Sequence, residues 1–140
     1  MKKLLVLVIA LATAAGISVA IATASSAPIV ITYEKTCTAA GHCVGSTGNG
    51  GTITMDVTGF RPTGDAAQLE MSETITGGGR TFTADLSAHS SPAGFIVLNG
   101  VVTDSSDPSL IGAQVHQRSN LDPGSATHWT GQLQVMPAST

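Results

Sequence analysis

The chain has 140 residues, a formal net charge of −3 and few charged side chains, which make up 11% of the sequence. A chain of this length supports one hydrophobic core rather than two domains. Only six Lys and Arg residues stand against nine Asp and Glu residues. This balance excludes the clustered positive charge that nucleic-acid binding requires, and we expect no nucleic-acid partner.

The N-terminus has the three parts of a secretory signal. Lys2 and Lys3 begin it, an uncharged apolar run follows, and Ala22-Thr23-Ala24 provides a small-residue cleavage site. We therefore predict a signal peptide over residues 1–24 and a single domain over residues 25–140, secreted or held in the cell envelope. An uncleaved signal that acts as an anchor is the alternative, and that segment is then the protein's only membrane contact.

The predicted mature domain is rich in Thr, Ser, Gly and Ala, which suits strands and tight turns and disfavours helices. Alternating apolar and polar residues predict strands in its first half, and the Gly45–Gly51 segment is expected to be a flexible loop. Asp65 also allows one helical turn before the third strand. Gly77–Gly79 predicts a hairpin. The strands predicted in this half are Ile29–Lys35, Thr52–Thr58, Leu69–Ile75 and Arg80–Ala88.

The second half continues the same pattern. Asn99-Gly100 lies between the apolar runs Phe95–Leu98 and Val101-Val102, and this arrangement predicts a two-residue hairpin. A single long strand with a bulge is the alternative. Alternation then predicts strands over Ile111–Gln117 and His128–Met136, with Trp129 buried on the core face. Seven to eight short strands predict an all-β fold, either a single antiparallel β-sandwich or a small β-barrel.

Two cysteines, Cys37 and Cys43, lie close together in the predicted domain. In an oxidising compartment such a pair predicts a disulfide. The alternative is a metal site that adds His42, but three ligands without a second cluster at zinc spacing make a weak site. We predict neither a metal ion nor a cofactor.

Glu73 is the first candidate functional residue. Strict alternation with Leu69, Met71 and Ile75 places its carboxylate on the apolar face of a strand, where it could act as a general acid or base inside a barrel. The alternative is a strand end or bulge that turns the carboxylate to solvent. We favour the solvated position, because a single carboxylate without a visible partner is usually exposed.

His116 and His128 are the second candidate. If Val115 pairs with Trp129 in the last hairpin, the two histidines lie directly opposite each other on the outer face, where they could bind a metal or respond to pH. The alternative is two solvated histidines, and we favour it because two ligands alone bind a metal weakly.

Neither a nucleophilic-serine motif nor a phosphate-binding loop is found in the sequence. Our leading hypothesis is a noncatalytic domain that binds a protein, a glycan or an envelope component through its loops. The second is a small barrel that encloses an apolar ligand. The third is an extracellular enzyme that uses Glu73 or the histidines.

Overall fold

The computed structural model describes residues 27–90 and 93–138, so the predicted signal segment over residues 1–24 lies outside the described residues. Within the described part, eight antiparallel strands form one closed barrel, and each strand pairs with its neighbours in the chain. The strands are β1 (Ile29–Cys37), β2 (His42–Thr47), β3 (Thr52–Thr63), β4 (Ala66–Gly77), β5 (Arg80–Ser90), β6 (Phe95–Ser105), β7 (Gln114–Leu121) and β8 (His128–Met136).

The barrel closes where β1 pairs with β8, from Ile29 opposite Val135 to Thr36 opposite His128. The all-β prediction is therefore confirmed, and of the two predicted architectures the chain adopts the barrel. We call the end that holds the β1–β2, β3–β4, β5–β6 and β7–β8 turns the upper end. The other end, where β1 begins and β8 finishes, is the lower end.

The interior follows from the period of two in a strand, which sends alternate side chains to opposite faces. In β1, Ile31, Tyr33 and Lys35 are buried while their neighbours are exposed. The same alternation in the other strands fills most of the barrel with apolar side chains and leaves most Thr, Asp, Glu and Gln side chains outside. The buried core includes Ile53, Ile75, Leu98, Val102, Leu133 and Val135.

The two ends of the barrel differ in how they are covered. A short 3₁₀ helix, Pro108–Leu110, follows β6 at the lower end and places Leu110, which is 2% exposed, in the core cluster. At the upper end five inward-facing apolar side chains are only partly buried, whereas Ala67 and Ala88 are buried. The five are Val57, Leu69, Ile96, Leu121 and Trp129. Solvent therefore reaches the inner wall from above more than from below.

The prediction of a flexible loop at Gly45–Gly51 is wrong for its first part, because β2 runs to Thr47 and pairs with both β1 and β3, whereas the rest of the segment forms the turn before β3. Polar and small residues in β2 weaken its apolar alternation. Glycine is required at position 45 because the Cβ of any other residue would overlap the carbonyl oxygen of Glu34 in β1. A helical turn at Asp65 is not formed either, because β4 begins at the next residue.

The hairpin predicted at Asn99-Gly100 is also wrong, because β6 runs through both residues without a turn. Gly100 does not have the positive φ that a type I′ turn needs. It is required for a different reason, namely that a Cβ would overlap the Asp85 carbonyl oxygen of β5. A glycine inside a strand often marks such a close backbone approach.

Cys37 and Cys43 form the predicted disulfide, with their Cα atoms 4.0 Å apart. They occupy directly opposite positions in β1 and β2, so the bond crosses the first hairpin near the upper end. Among the described residues, no helix has the length and apolar character needed to span a membrane.

Candidate functional site: a polar cluster inside the barrel

Five polar side chains meet inside the barrel among the apolar core residues. They are 5% exposed or less, and we call them the interior polar cluster. The cluster comprises Tyr33, Lys35, Glu73, Gln117 and Ser119, contributed by β1, β4 and β7. Buried polar groups are costly unless they are hydrogen-bonded, so their contacts define what this site can do.

An ion pair lies at the centre of the cluster. Lys35 Nζ is 3.1 Å from Glu73 Oε2 and donates a second hydrogen bond to Met55 Sδ at 3.3 Å. The same ammonium lies 4.9 Å from the centre of the Tyr33 ring, within the range of a cation–π contact. Lys35 is 3% exposed and Glu73 is 0% exposed, so each charge depends on the other for its stabilisation.

Gln117 joins the ion pair to the rest of the cluster. Its Nε2 donates to Tyr33 Oη at 2.8 Å and to Glu73 Oε2 at 3.2 Å, which uses both amide hydrogens. Tyr33 Oη in turn forms a short hydrogen bond with Ser119 Oγ. The network therefore runs without a break from Lys35 on β1 to Ser119 on β7.

The environment of Tyr33 keeps its hydroxyl neutral. Burial raises the pKa of Tyr33 to about 12, although the hydrogen bonds with Ser119 and Gln117 oppose the shift, and the nearby Glu73 carboxylate adds to it. The hydroxyl is thus a donor and acceptor, never a base, at any physiological pH.

Two oxygens of the cluster have no hydrogen-bond partner within the described part of the chain. They are Oε1 of Glu73 and Oε1 of Gln117, and both are fully buried. A buried acceptor without a donor costs on the order of 1–3 kcal/mol, and more when it is charged. The cluster can therefore accept hydrogen bonds from a group that enters the barrel.

Small residues on adjacent strands make room for the long polar side chains. Ala84 lies opposite Glu73. Gly131 lies opposite Tyr33, and a Cβ at this glycine would overlap the Tyr33 hydroxyl. Such complementarity of large and small side chains allows a small barrel to hold a polar cluster in a packed interior.

Glu73 therefore faces the barrel interior, and the expectation that it is solvated is wrong. Sequence reasoning missed the other four members of the cluster, yet a signal for them exists. Lys35 continues the inward-facing series of Ile31 and Tyr33. Gln117 and Ser119 continue the inward-facing series of Val115. Alternation of apolar residues alone does not reveal polar residues on the same inward face.

The structure does not bring His116 and His128 together, so the predicted pairing is wrong. Val115 pairs with Val135, and His116 lies opposite Gln134. The register differs because β7 extends to Leu121, which leaves a shorter turn before β8 than the sequence pattern indicated. Each histidine has a separate neighbour: His116 Nδ1 lies 2.6 Å from the side-chain oxygen of Asn99.

His128 contacts two carboxylates on the outer surface. Its Nδ1 is 2.6 Å from Asp122 Oδ2, and its Nε2 is 3.7 Å from Glu34 Oε2. The hydrogen bond with His128 holds the pKa of Asp122 below its usual value. The two residues fix the turn before β8 to the strand itself, which is a structural role.

Trp129 shares the inward face with Leu133 and Val135, as expected, but it is not fully buried. It lies opposite Leu121 and Lys35 at the upper end, where the barrel is partly open. As the single tryptophan of the chain, it reports on whatever occupies this end.

The chain matches no family model, no curated protein and no solved structure. Across residues 27–90 and 93–138, no group of three or more His, Cys, Asp or Glu side chains is arranged to hold a metal ion. Function must therefore be inferred from the interior polar cluster and the upper end of the barrel.

Proposed function

We propose that this protein is an extracytoplasmic, noncatalytic barrel that binds a small and largely apolar ligand. The ligand enters at the upper end and places its polar group at the interior polar cluster. The observation that carries the proposal is the pair of fully buried acceptors, Glu73 Oε1 and Gln117 Oε1, beneath an end whose apolar side chains are only partly covered.

The free-energy cost of burying the interior polar cluster supports this proposal. Replacing a buried ion pair by apolar residues of similar volume is often neutral or stabilising, so stability alone gives little reason to keep Lys35 and Glu73. Two unpartnered acceptors add to the cost. Strained or unsatisfied groups in an otherwise regular interior are expected at functional sites.

The apolar side chains at the upper end give the ligand its second recognition element. Leu69, Ile96 and Val57 pack against the core and remain partly exposed. Ligand sites of this kind are mostly apolar, with a few polar groups that fix orientation. A closed barrel of about eight strands is wide enough for its own side chains or for one small ligand, and the ligand here would lie above the packed polar cluster, among the partly exposed side chains of the upper end.

An extracytoplasmic location is part of the proposal. The disulfide between Cys37 and Cys43 is compatible with an oxidising compartment, and the N-terminal segment has the composition of a secretory signal. Mass spectrometry of exported material tests it. A mature chain beginning at Ser25 supports the proposal, whereas a chain retained in the cytoplasm from Met1 onward contradicts it.

Binding is tested with the apolar fluorophore N-phenyl-1-naphthylamine. We expect saturable binding at one site, with a blue-shifted probe emission and a change in Trp129 fluorescence. Leu69→Trp narrows the upper end and should weaken binding at least 10-fold. Val30→Trp, at an exposed position on the outer wall, is the matched control and should leave binding unchanged. Equal binding by both variants, or none by the wild type, would contradict an interior site.

A second candidate function rests on Phe60, which is 67% exposed. A bulge between Val57 and Gly59 shifts the register of β3, and Phe60 then lies opposite Leu69 on a hairpin that extends beyond β2. This hairpin suits the binding of a protein or a glycan through loops. Phe60→Ala should abolish binding to a glycan array or to an identified envelope protein, whereas Val44→Ala, an exposed position of β2, should not.

We do not propose an enzyme. Glu73 Oε2 is occupied by Lys35 and Gln117, and both histidines lie on the outer face, away from the interior polar cluster. The third hypothesis relied on Glu73 or on the histidines, but Glu73 is paired with Lys35, and His116 and His128 lie apart from each other.

A further inference from the structure

We infer that the polar group of the bound ligand is a neutral hydrogen-bond donor, a hydroxyl or a primary amide, rather than an amine or a carboxylate. This inference rests on the proposed function and narrows its ligand class. It follows from the hydrogen-bond inventory and the charge balance of the interior polar cluster.

The interior polar cluster lacks hydrogen-bond donors for two of its oxygens. Glu73 Oε2 already accepts from Lys35 and from Gln117, and the amide hydrogens of Gln117 are both used. The groups left unsatisfied are two acceptors, Glu73 Oε1 and Gln117 Oε1. A ligand group without a hydrogen to donate, such as an ether or a carboxylate, can satisfy neither oxygen.

The charge balance excludes the charged donors. Lys35 and Glu73 form a neutral pair, with Nζ 3.1 Å from one oxygen of the carboxylate whose other oxygen is free. An ammonium ligand at that free oxygen would place a second positive charge beside Lys35 in a buried site. A carboxylate ligand would place a second negative charge beside Glu73. Either leaves one buried charge uncompensated, which is strongly unfavourable.

A neutral donor avoids both costs. A hydroxyl satisfies one free oxygen, and a primary amide carries two N–H donors, as many as there are free oxygens. Hydrogen bonds to charged groups are the stronger ones, so the free oxygen of Glu73 provides most of the discrimination. We expect a preference of about 10- to 100-fold for a donor over a matched compound that lacks the hydrogen.

The experiment compares ten-carbon probes that differ in the polar end: 1-decanol, decanamide, decylamine, decanoate and 1-methoxynonane. Each probe is titrated into the full domain loaded with N-phenyl-1-naphthylamine at pH 7, and the displacement of the fluorophore measures the affinity of the probe. We expect 1-decanol and decanamide to bind at least 10-fold more tightly than 1-methoxynonane, and decylamine and decanoate to bind no better than this ether.

Gln117→Met tests the assignment to the cluster. The substitution keeps the length of the side chain and removes one free oxygen, so the advantage of decanamide over 1-methoxynonane should fall at least 3-fold. Gln132→Met, at an exposed position of β8, is the matched control and should preserve the full advantage. Circular dichroism verifies that both variants fold.

A measurement on the wild type does not depend on any variant. The side-chain amide resonances of Gln117 should shift in NMR spectra when 1-decanol is added and not when 1-methoxynonane is added. The inference is overturned if the ether binds as tightly as the alcohol and shifts these resonances as the alcohol does. The proposed function stands in that case, and buried water then donates the hydrogen bonds to the two free oxygens. If no probe displaces the fluorophore, the proposed function itself is overturned.

Discussion

Neutralising Glu73 by Glu73→Gln should destabilise the barrel strongly, because it leaves the Lys35 ammonium buried without a counter-charge. The two side chains are 0% and 3% exposed, and water has little access to compensate the remaining charge. Breaking one partner of a buried ion pair costs roughly 3–5 kcal/mol. We expect the free energy of unfolding at pH 7 to fall by about that amount, a large share of the roughly 5–15 kcal/mol typical of a domain.

The double variant Lys35→Met/Glu73→Gln separates the loss of the pair from the loss of packing. Removing both charges eliminates the uncompensated ammonium, and the free energy of unfolding should return to within about 2 kcal/mol of the wild type. Lys35→Met alone completes the double-mutant cycle, which then isolates the coupling energy between the two side chains.

Urea unfolding, followed by circular dichroism and by Trp129 fluorescence, measures each free energy. Asp85→Asn on the outer wall of β5 is the matched control for removing a carboxylate charge, and it should change the stability by less than about 0.5 kcal/mol. A loss below about 1 kcal/mol for Glu73→Gln, with additive effects in the cycle, would refute the reasoning, since it would mean that Lys35 is hydrated.

Three further outcomes are expected. Replacing Cys37 and Cys43 by Ala should lower the free energy of unfolding by about 2–3 kcal/mol, since the disulfide closes a short loop, and urea unfolding of the wild type and of this variant measures the difference. Tyr33, the single tyrosine, should form phenolate only near pH 12, as followed by absorbance at about 295 nm. Because its folded pKa is raised from 10.0, its contribution to stability is complete below pH 10 and is lost as the pH rises through about 12. Titration near pH 10 in the native protein would contradict the burial. His128→Ala should let the pKa of Asp122 return toward 3.8, measured by carboxyl-carbon NMR, whereas an unchanged pKa would show that the hydrogen bond does not cause the shift.

Sequence alternation predicted the barrel wall well where apolar and polar residues differ clearly. Ile29–Lys35 and Arg80–Ala88 lie within β1 and β5. Alternation failed to predict strands where a glycine leaves space for the backbone of the neighbouring strand. Gly45 and Gly100 lie within strands, and both positions need glycine because a Cβ there would overlap the backbone of the neighbouring strand. Sequence rules associate glycine mainly with turns.

The interior polar cluster was only partly predictable, since alternation assigns a face but not a partner. Glu73 and Lys35 are 38 positions apart, and Gln117 is 84 positions from Tyr33. Their contacts exist only because the barrel closes. The histidine pairing failed for a related reason: it required the exact length of β7, and a shift in register changes every opposed pair.

The path of the chain has a consequence for how the barrel meets its surroundings. β1 starts and β8 finishes as direct neighbours, with Ile29 opposite Val135, and both do so at the end that the 3₁₀ helix covers. A fusion partner, an affinity tag or a surface tether joined directly before Ile29 or directly after Met136 would therefore leave the barrel at the end opposite Phe60 and Trp129. A domain immobilised at one of these two points would present its accessible end to the solution, and a linker joining the start of β1 to the end of β8 would allow new chain ends to be opened at another turn.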